Sequence, residues 1–249
     1  MTMLKVTWFA RFRPDLTRQE GRRHWQEVHG PLGAKVPQIE RYVQNHAGNA
    51  LSPVDVLDEP AGFDGYSSAW YAGREAFDAS LPTPEWAAIG EDSPNLFDHE
   101  WFWGMSAEIS EHTIVDGPVL PYKVVWVMRF PPEVRADPER LRAAHDYWIG
   151  THGGRFGRAV PGIVRYVQNH VVAGIGETGI EDGSLPKFDG YSECWFADRE
   201  AFERMMATPE WLAMNHDAET LFDLEFNEGG MNAELDEVVV KDDTAVSSA

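Results

Sequence analysis

Cysteine is almost missing from this chain: Cys194 is the only one among 249 residues. That excludes a disulfide framework and a Cys-rich metal site, and it fits a reducing compartment. Basic residues are scarce as well. Lys and Arg number 21 against 41 Asp and Glu, a formal charge of −20, which repels phosphate backbones and anionic lipid surfaces. Neither nucleic acid nor a membrane is therefore expected as a partner. No stretch approaches the roughly 20 consecutive apolar residues of a spanning helix, and Met1 to Pro14 lacks the apolar core of a secretory signal, so a cytoplasmic location is expected. There is no P-loop and no His-Glu-x-x-His. His24 and His29, five apart, are not expected to share a face of an α-helix. Neither a metal nor a cofactor is expected. What the chain does have is 43% hydrophobic residues, with 10 Trp and 13 Phe, the composition of a folded protein. At roughly 150 residues per domain, its length allows one large domain or two modest ones.

Self-similarity decides between these. Arg41-Tyr-Val-Gln-Asn-His46 returns as Arg165-Tyr-Val-Gln-Asn-His170, and Phe63-Asp-Gly-Tyr-Ser67 returns as Phe188-Asp-Gly-Tyr-Ser192. Softer echoes keep the same order: His29-Gly30 with His152-Gly153, Pro84-Glu-Trp86 with Pro209-Glu-Trp211, Phe97-Asp98 with Phe222-Asp223. The chain is a tandem duplication, with a first unit over residues 1–115, a second over 116–236 and an acidic tail over 237–249.

Periodicity and punctuation give the elements of a unit. Leu4 to Phe12 and Lys123 to Phe130 read as first strands. Thr17-x-x-Glu20 is a capping box, and Asp137-Pro138 supplies an N-cap with proline at the first helical position, so helices are expected to run from there to the His-Gly pairs. Second strands follow at Ile39–Ala47 and Ile163–Val172, and third strands at Gly65–Tyr71 and Gly190–Phe196. A second helix is expected to break near Pro84 or Pro209, and last strands are expected near His99–Trp103 and Leu224–Asn227. The order β-α-β-β-α-β is the ferredoxin-like unit, with both helices on one face of its sheet. The predicted class is α+β, two such units whose sheets pack face to face and enclose a ligand space lined by strand side chains.

At the helix ending in His-Gly, the Arg-Tyr-Val-Gln-Asn-His strand, the Phe-Asp-Gly-Tyr strand and the Pro-Glu-Trp helix, the sequence resembles the EthD family (named for ethyl tert-butyl ether degradation) of the dimeric α/β-barrel superfamily. The resemblance covers both halves. It implies a barrel normally built by two chains and here supplied by one, either as a monomer with an internal pseudo-dimer or as a homodimer. Relatives include polyketide decarboxylases and dehydratases, cofactor-free cyclases and muconolactone methylisomerases. The methylisomerases' helix histidine is similar to His29 and His152, their strand tyrosine to Tyr42 and Tyr166, and the cysteine of their Glu-Cys-Trp-Phe strand to Cys194. Another of their histidines has no counterpart here. Haem-binding relatives exist in the wider superfamily, but no feature of this chain selects for haem.

The candidate catalytic residues are His29, His46, His152, His170, Tyr42, Tyr166, Asp64 and Asp189; Cys194, Tyr66, Tyr191, Gln44, Gln168, Trp8 and Trp126 are candidates to bind substrate. Each has a structural alternative. His29 and His152 can cap a helix C-terminus or act as acid–base imidazoles. Alternation places Tyr42, Gln44 and His46 on one strand face and Arg41, Val43 and Asn45 on the other, as a buried network or a proton-moving cluster. Asp64 and Asp189 can start a strand by an Asx turn, and Cys194 can be a small core residue. On the third strands only one of two opposite sets can line a cavity, and the methylisomerase resemblance implies the set with Cys194. The expected function is a cofactor-independent lyase of decarboxylase, dehydratase or cyclase type, acting on a hydrophobic aromatic or polyketide-like molecule through His, Tyr and Asp. An isomerase, a cofactor-free monooxygenase and a non-catalytic binding protein are the alternatives. Because Cys194, Glu193 and His145 occur only in the second unit, one working pocket is expected, and in that half.

Overall fold

The computed structural model describes residues 3–102, 104–176, 178–227 and 230–244. In the first half, β1 (Leu4–Ala10) leads to α1 (Arg18–His24), a π-helical segment (Trp25–His29) and α2 (Gly30–Ala34). Then come β2 (Ile39–Leu51), β3 (Val56–Pro60), β4 (Gly65–Tyr71), α3 (Arg74–Ser80), α4 (Pro84–Leu96), α5 (His99–Phe102) and β5 (Ser106–Val115). The second half repeats the order: β6 (Tyr122–Met128), α6 (Pro132–Arg135), α7 (Pro138–Tyr147) with a π-helical continuation (Trp148–Gly157), β7 (Arg165–Gly176), β8 (Gly179–Glu181), β9 (Gly190–Phe196), α8 (Arg199–Met206), α9 (Pro209–Leu221), α10 (Leu224–Asn227) and β10 (Asn232–Asp242).

Local chemistry sets these boundaries. The Thr17 hydroxyl and the Glu20 carboxylate cap the start of α1 reciprocally, and Asp137 accepts from the backbone of Glu139 and Arg140 ahead of Pro138. Thr83 and Thr208 cap α4 and α9, each with proline at the first helical position, which breaks the second helix of each half in two. The sheets run β5-β1-β4-β2 and β10-β6-β9-β7, all antiparallel, and they join at their edges through β5–β7 and β2–β10. Eight strands thus close into one barrel supplied by a single chain, each of them paired on both sides.

Four sequence expectations change. The two sheets face each other across the barrel as expected, but side chains fill the space between them. The barrel interior is filled by Phe9, Tyr66, Phe188 and Tyr191, whose ring centroids lie 4.8 to 5.3 Å apart. Above them sits a buried charge network. Lys123 Nζ is 2.6 Å from Glu193, Tyr66 donates to Glu193 at 2.5 Å, and Lys5 donates to Asn169 at 2.7 Å. The helices do not end at His29 and His152 but run on to Ala34 and Gly157. The glycine after each histidine serves close approach: a Cβ on Gly30 would come within 2.6 Å of the Gln44 amide, and one on Gly153 would collide with Gln168. The segments expected as last strands form short helical turns, because Asp98 and Asp223 accept from the backbone of Trp101 and Phe226; Trp103 lies outside the described residues. The true last strands are β5 and β10. β10 takes residues 237–242 out of the expected tail and pairs them with β2; residues 245–249 of that tail lie outside the described residues.

Candidate active site in the first half

The parity of the strands sorts the candidates. Tyr42, Gln44, Ser67, Ala69, Trp8 and Ala10 face the helices, whereas Lys5, Asn45, Tyr66 and Tyr191 face the barrel interior with Glu193. Between the helices and the outer face of the first sheet lies a cavity of about 290 Å³. Small side chains make its floor: Ala10, Ser67, Ala69 and Ser106, around Trp8. His29, Trp25 and Tyr42 stand on one side, and Trp86, Ile89 and Phe97 form the roof. Register accounts for the floor, since Trp8 pairs with Ser67 on β4 and with Ser106 on β5.

The π-helical segment assembles the chemistry. Gly30 N–H donates to the Trp25 carbonyl, five residues back, so residues five apart stack. His24 and His29 consequently both reach Asp92 on α4, His24 through Nε2 at 2.9 Å and His29 through Nδ1 at 2.9 Å. This overturns the expectation that the two histidines cannot share a face. A carboxylate only accepts, so His29 carries its proton on Nδ1, and Nε2 is left without a protein partner among the described residues. Burial pushes the His29 imidazole below its ordinary range, against the pull of Asp92, which keeps it neutral as a base. Burial alone would raise Asp92, but hydrogen bonds from His24 and His29 hold it below the ordinary carboxylate range. Two buried donors of the cavity wall, Trp25 Nε1 and Ser106 Oγ, have no hydrogen-bond partner among the described residues. Burial raises the Tyr42 hydroxyl, opposed by Gln44, Ser67 and Trp25 beside it, so it stays a donor. No Lys or Arg is among the described lining residues.

The other sequence candidates are placed elsewhere. His46 lies against Trp25 with ring centroids 4.8 Å apart and its Nε2 is 3.2 Å from Gln44 Oε1; burial, aided by Arg22, takes it down to about 3. Gln44 donates to the Trp25 carbonyl at 3.0 Å, as Gln168 does to Trp148. Asp64 accepts from Phe12 N–H at 2.7 Å and from Arg18, and Asp189 from Phe130 N–H at 2.8 Å and from Arg135, tying the start of each third strand to the segment just past the first strand of its half. Tyr66 and Tyr191 belong to the barrel interior. His170 is 2.8 Å from His145 across their Nδ1 atoms, and burial with His145 and His112 takes it to about 2.

The second half keeps the dyad and loses the space. His152 Nδ1 is 2.8 Å from Asp217 and Tyr147 donates to the same carboxylate at 2.6 Å. Where the first half has Ala10, Ala69 and Ile89, the second has Met128, Cys194 and Met214, and these join Trp126, Tyr166, Leu51 and Val56 in one buried cluster. Burial raises the Cys194 thiol well above its ordinary value, leaving it a small apolar core residue. The cavity therefore lies in the half opposite to the one expected. Sequence reasoning missed His24, Asp92, Ser106 and Ile175 as site residues. Asp92 could have been found from the repeat, since it follows Trp86 at the same spacing as Asp217 follows Trp211.

The EthD domain model matches the chain twice, over residues 13–100 and 137–225. Similar solved structures include an anthrone oxidase-like protein at 12% identity, covering 98% of this chain and 95% of its own with a TM-score of 0.56. An EthD family protein from Bacillus halodurans is 20% identical over 38% of this chain and 86% of its own, with a TM-score of 0.31. A mutant chlorite dismutase from Candidatus Nitrospira defluvii is 12% identical, covering 96% and 92%, with a TM-score of 0.44. No curated protein matches by sequence. Among the described residues no group of side chains is arranged to hold a metal ion, and no helix is long and apolar enough to cross a membrane.

Proposed function

The chain belongs to the EthD domain family, and we propose that its first half is a cofactor-independent lyase site acting by proton transfer on a neutral, hydrophobic aromatic or polyketide-like ketone. The observation that carries this is His29: a cavity-lining imidazole fixed by Asp92 through Nδ1, with Nε2 unpartnered. A base held in one tautomer by a carboxylate is poised for general acid–base work, worth about 10² to 10⁴ in rate. The lining favours dehydration or cyclisation over decarboxylation, because a carboxylate buried there would find no Lys or Arg among the described lining residues, only the imidazoles of His29 and His99 and the neutral donors of Trp25, Tyr42 and Ser106.

In this reading His29 Nε2 takes a proton from the carbon next to the substrate carbonyl. The developing enolate oxygen accepts from Trp25 Nε1–H and the Tyr42 hydroxyl, donors of buried side chains, where such bonds count most. The imidazolium then returns its proton to a β-hydroxyl, which leaves as water as the double bond forms. Asp92 is not protonated; it orients the ring and stabilises the imidazolium.

The test is a panel of neutral hydroxylated aromatic ketones assayed under argon and in air, with wild type, His29→Ala and His152→Ala. Turnover under argon that is lost in His29→Ala and kept in His152→Ala supports the lyase. Turnover only with oxygen uptake would replace it by a monooxygenase, and saturable binding without turnover by a binding protein.

A further inference from the structure

The cavity belongs to the first half except at one end. Its lining runs from Tyr42 on β2 through Ser67 and Ala69 on β4, Trp8 and Ala10 on β1 and Ser106 on β5 to Ile175 on β7, a strand of the second half. At about 4.8 Å per strand, about 19 Å of sheet separates β2 from β7, so Ile175 stands at the end away from Tyr42 and the π-helical segment over β2. Ile175 pairs with Ile180 in the β7–β8 hairpin. Both pack into the first half's cluster with Phe77, Leu81 and Trp86. Arg74 on α3 pins the hairpin by donating to the Ile180 carbonyl at 3.0 Å and to Asp182 at 3.3 Å.

A reciprocal arm shows what such a hairpin can do. The β2–β3 arm of the first half reaches the second half, where Trp211 Nε1 donates to the Pro53 carbonyl at 2.8 Å. There Leu51 and Val56 enter the buried cluster. One arm fills the space it covers. The other closes a space that remains open.

We propose that the β7–β8 arm of the second half caps the first-half cavity and that Ile175 is the residue that sets how long a substrate the site accepts. The proposal rests on the reading of this cavity as the substrate site. It assigns the substrate a flat, elongated shape laid across the strands, with its acceptor oxygen under Trp25 and Tyr42 and an apolar far end against Ile175.

The test uses two neutral ring ketones that differ by one fused ring, 4-quinolone and acridone, titrated by tryptophan fluorescence quenching. Ile175→Trp is expected to weaken acridone about tenfold while leaving 4-quinolone within about twofold, the scale on which apolar pockets discriminate size. Ile175→Ala is expected to shift the ratio of the two dissociation constants the opposite way. Thermal melts of both variants near wild type confirm that they fold. If neither variant moves the ratio while Ala69→Met abolishes binding of both rings, the cavity is the site and the cap is overturned. If wild type binds neither ring, or Ala69→Met leaves binding unchanged, the site reading falls and the cap with it.

Discussion

The two halves of the chain hold the same imidazole–carboxylate pair, His29 with Asp92 and His152 with Asp217, on the same π-helical turn. They differ in what lies beneath it. Alanine and serine floor an open cavity in the first half, whereas Met128, Cys194 and Met214 fill the corresponding space in the second. The dyad alone is therefore not a site. Its position comes from the fold, and the fold keeps it in both copies. What the first half adds is room, since Trp148 Nε1 is as unpartnered as Trp25 Nε1 among the described residues, and a few side-chain volumes decide that room.

The largest expected difference between the halves is in catalysis. His29→Ala is expected to lower kcat/KM by about 10² to 10⁴, and His152→Ala to leave turnover intact. The latter acts on stability instead, at about 1.5 to 3 kcal/mol for the hydrogen bond to a charged group that it removes, with Tyr147 still donating to Asp217, read by urea denaturation.

Exchanging the floors comes next. Ala10→Met with Ala69→Cys builds second-half side chains into the first half and is expected to abolish ligand binding without unfolding the protein, checked by fluorescence titration and melting. Met128→Ala, the reverse change, empties packed volume and is expected to cost about 2 to 5 kcal/mol.

Acid stability separates the halves in a third way. His46 is held down to about 3, His145 to about 4 and His170 to about 2, in each case first by burial, so all are neutral in the folded state near pH 7. With an unfolded pKa of about 6.5, the unfolded chain binds more protons below that pH. Their contribution is therefore full above about pH 6.5 and is lost as pH falls towards the folded values. His170→Gln is expected to flatten this acid limb more than His46→Gln, as measured by melting temperature between pH 7 and 4. Glu193 acts in a lower window: burial would raise it, but Lys123 and Lys5 take it to about 2, so its contribution is lost only as pH falls below the ordinary carboxylate range.

The smallest expected effect tests the dyad's second donor. His24→Tyr copies Tyr147, which donates to Asp217 at 2.6 Å. It is expected to change kcat by no more than about tenfold, the worth of one hydrogen bond of about 1 kcal/mol.

Much of this architecture was legible in the sequence because it is written in local signals. The repeat marked two units, Thr17 and Asp137 marked helix starts, and Gly65–Tyr71 and Gly190–Phe196 are strands with the expected limits. The face shared by Tyr42, Gln44 and His46 followed from alternation. What was not legible is non-local. Closure by β2–β10 pairing uses residues 237–242, which fell within the expected acidic tail. The π-helical turn that turns His24 and His29 to one carboxylate violates the α-helical period by which a sequence is read. The choice of half hung on Ala10 against Met128, positions whose meaning appears only once both floors are seen.

A crystal structure of the protein soaked with acridone would decide between the halves. One molecule per chain is expected in the first half, lying on Ala10, Ser67 and Ala69 with its carbonyl within hydrogen-bond reach of Trp25 or Tyr42 and a ring carbon near His29 Nε2. Acridone inside the barrel against Phe9 and Tyr191, or bound beside His152 in the second half, would overturn the assignment of the site to the first half.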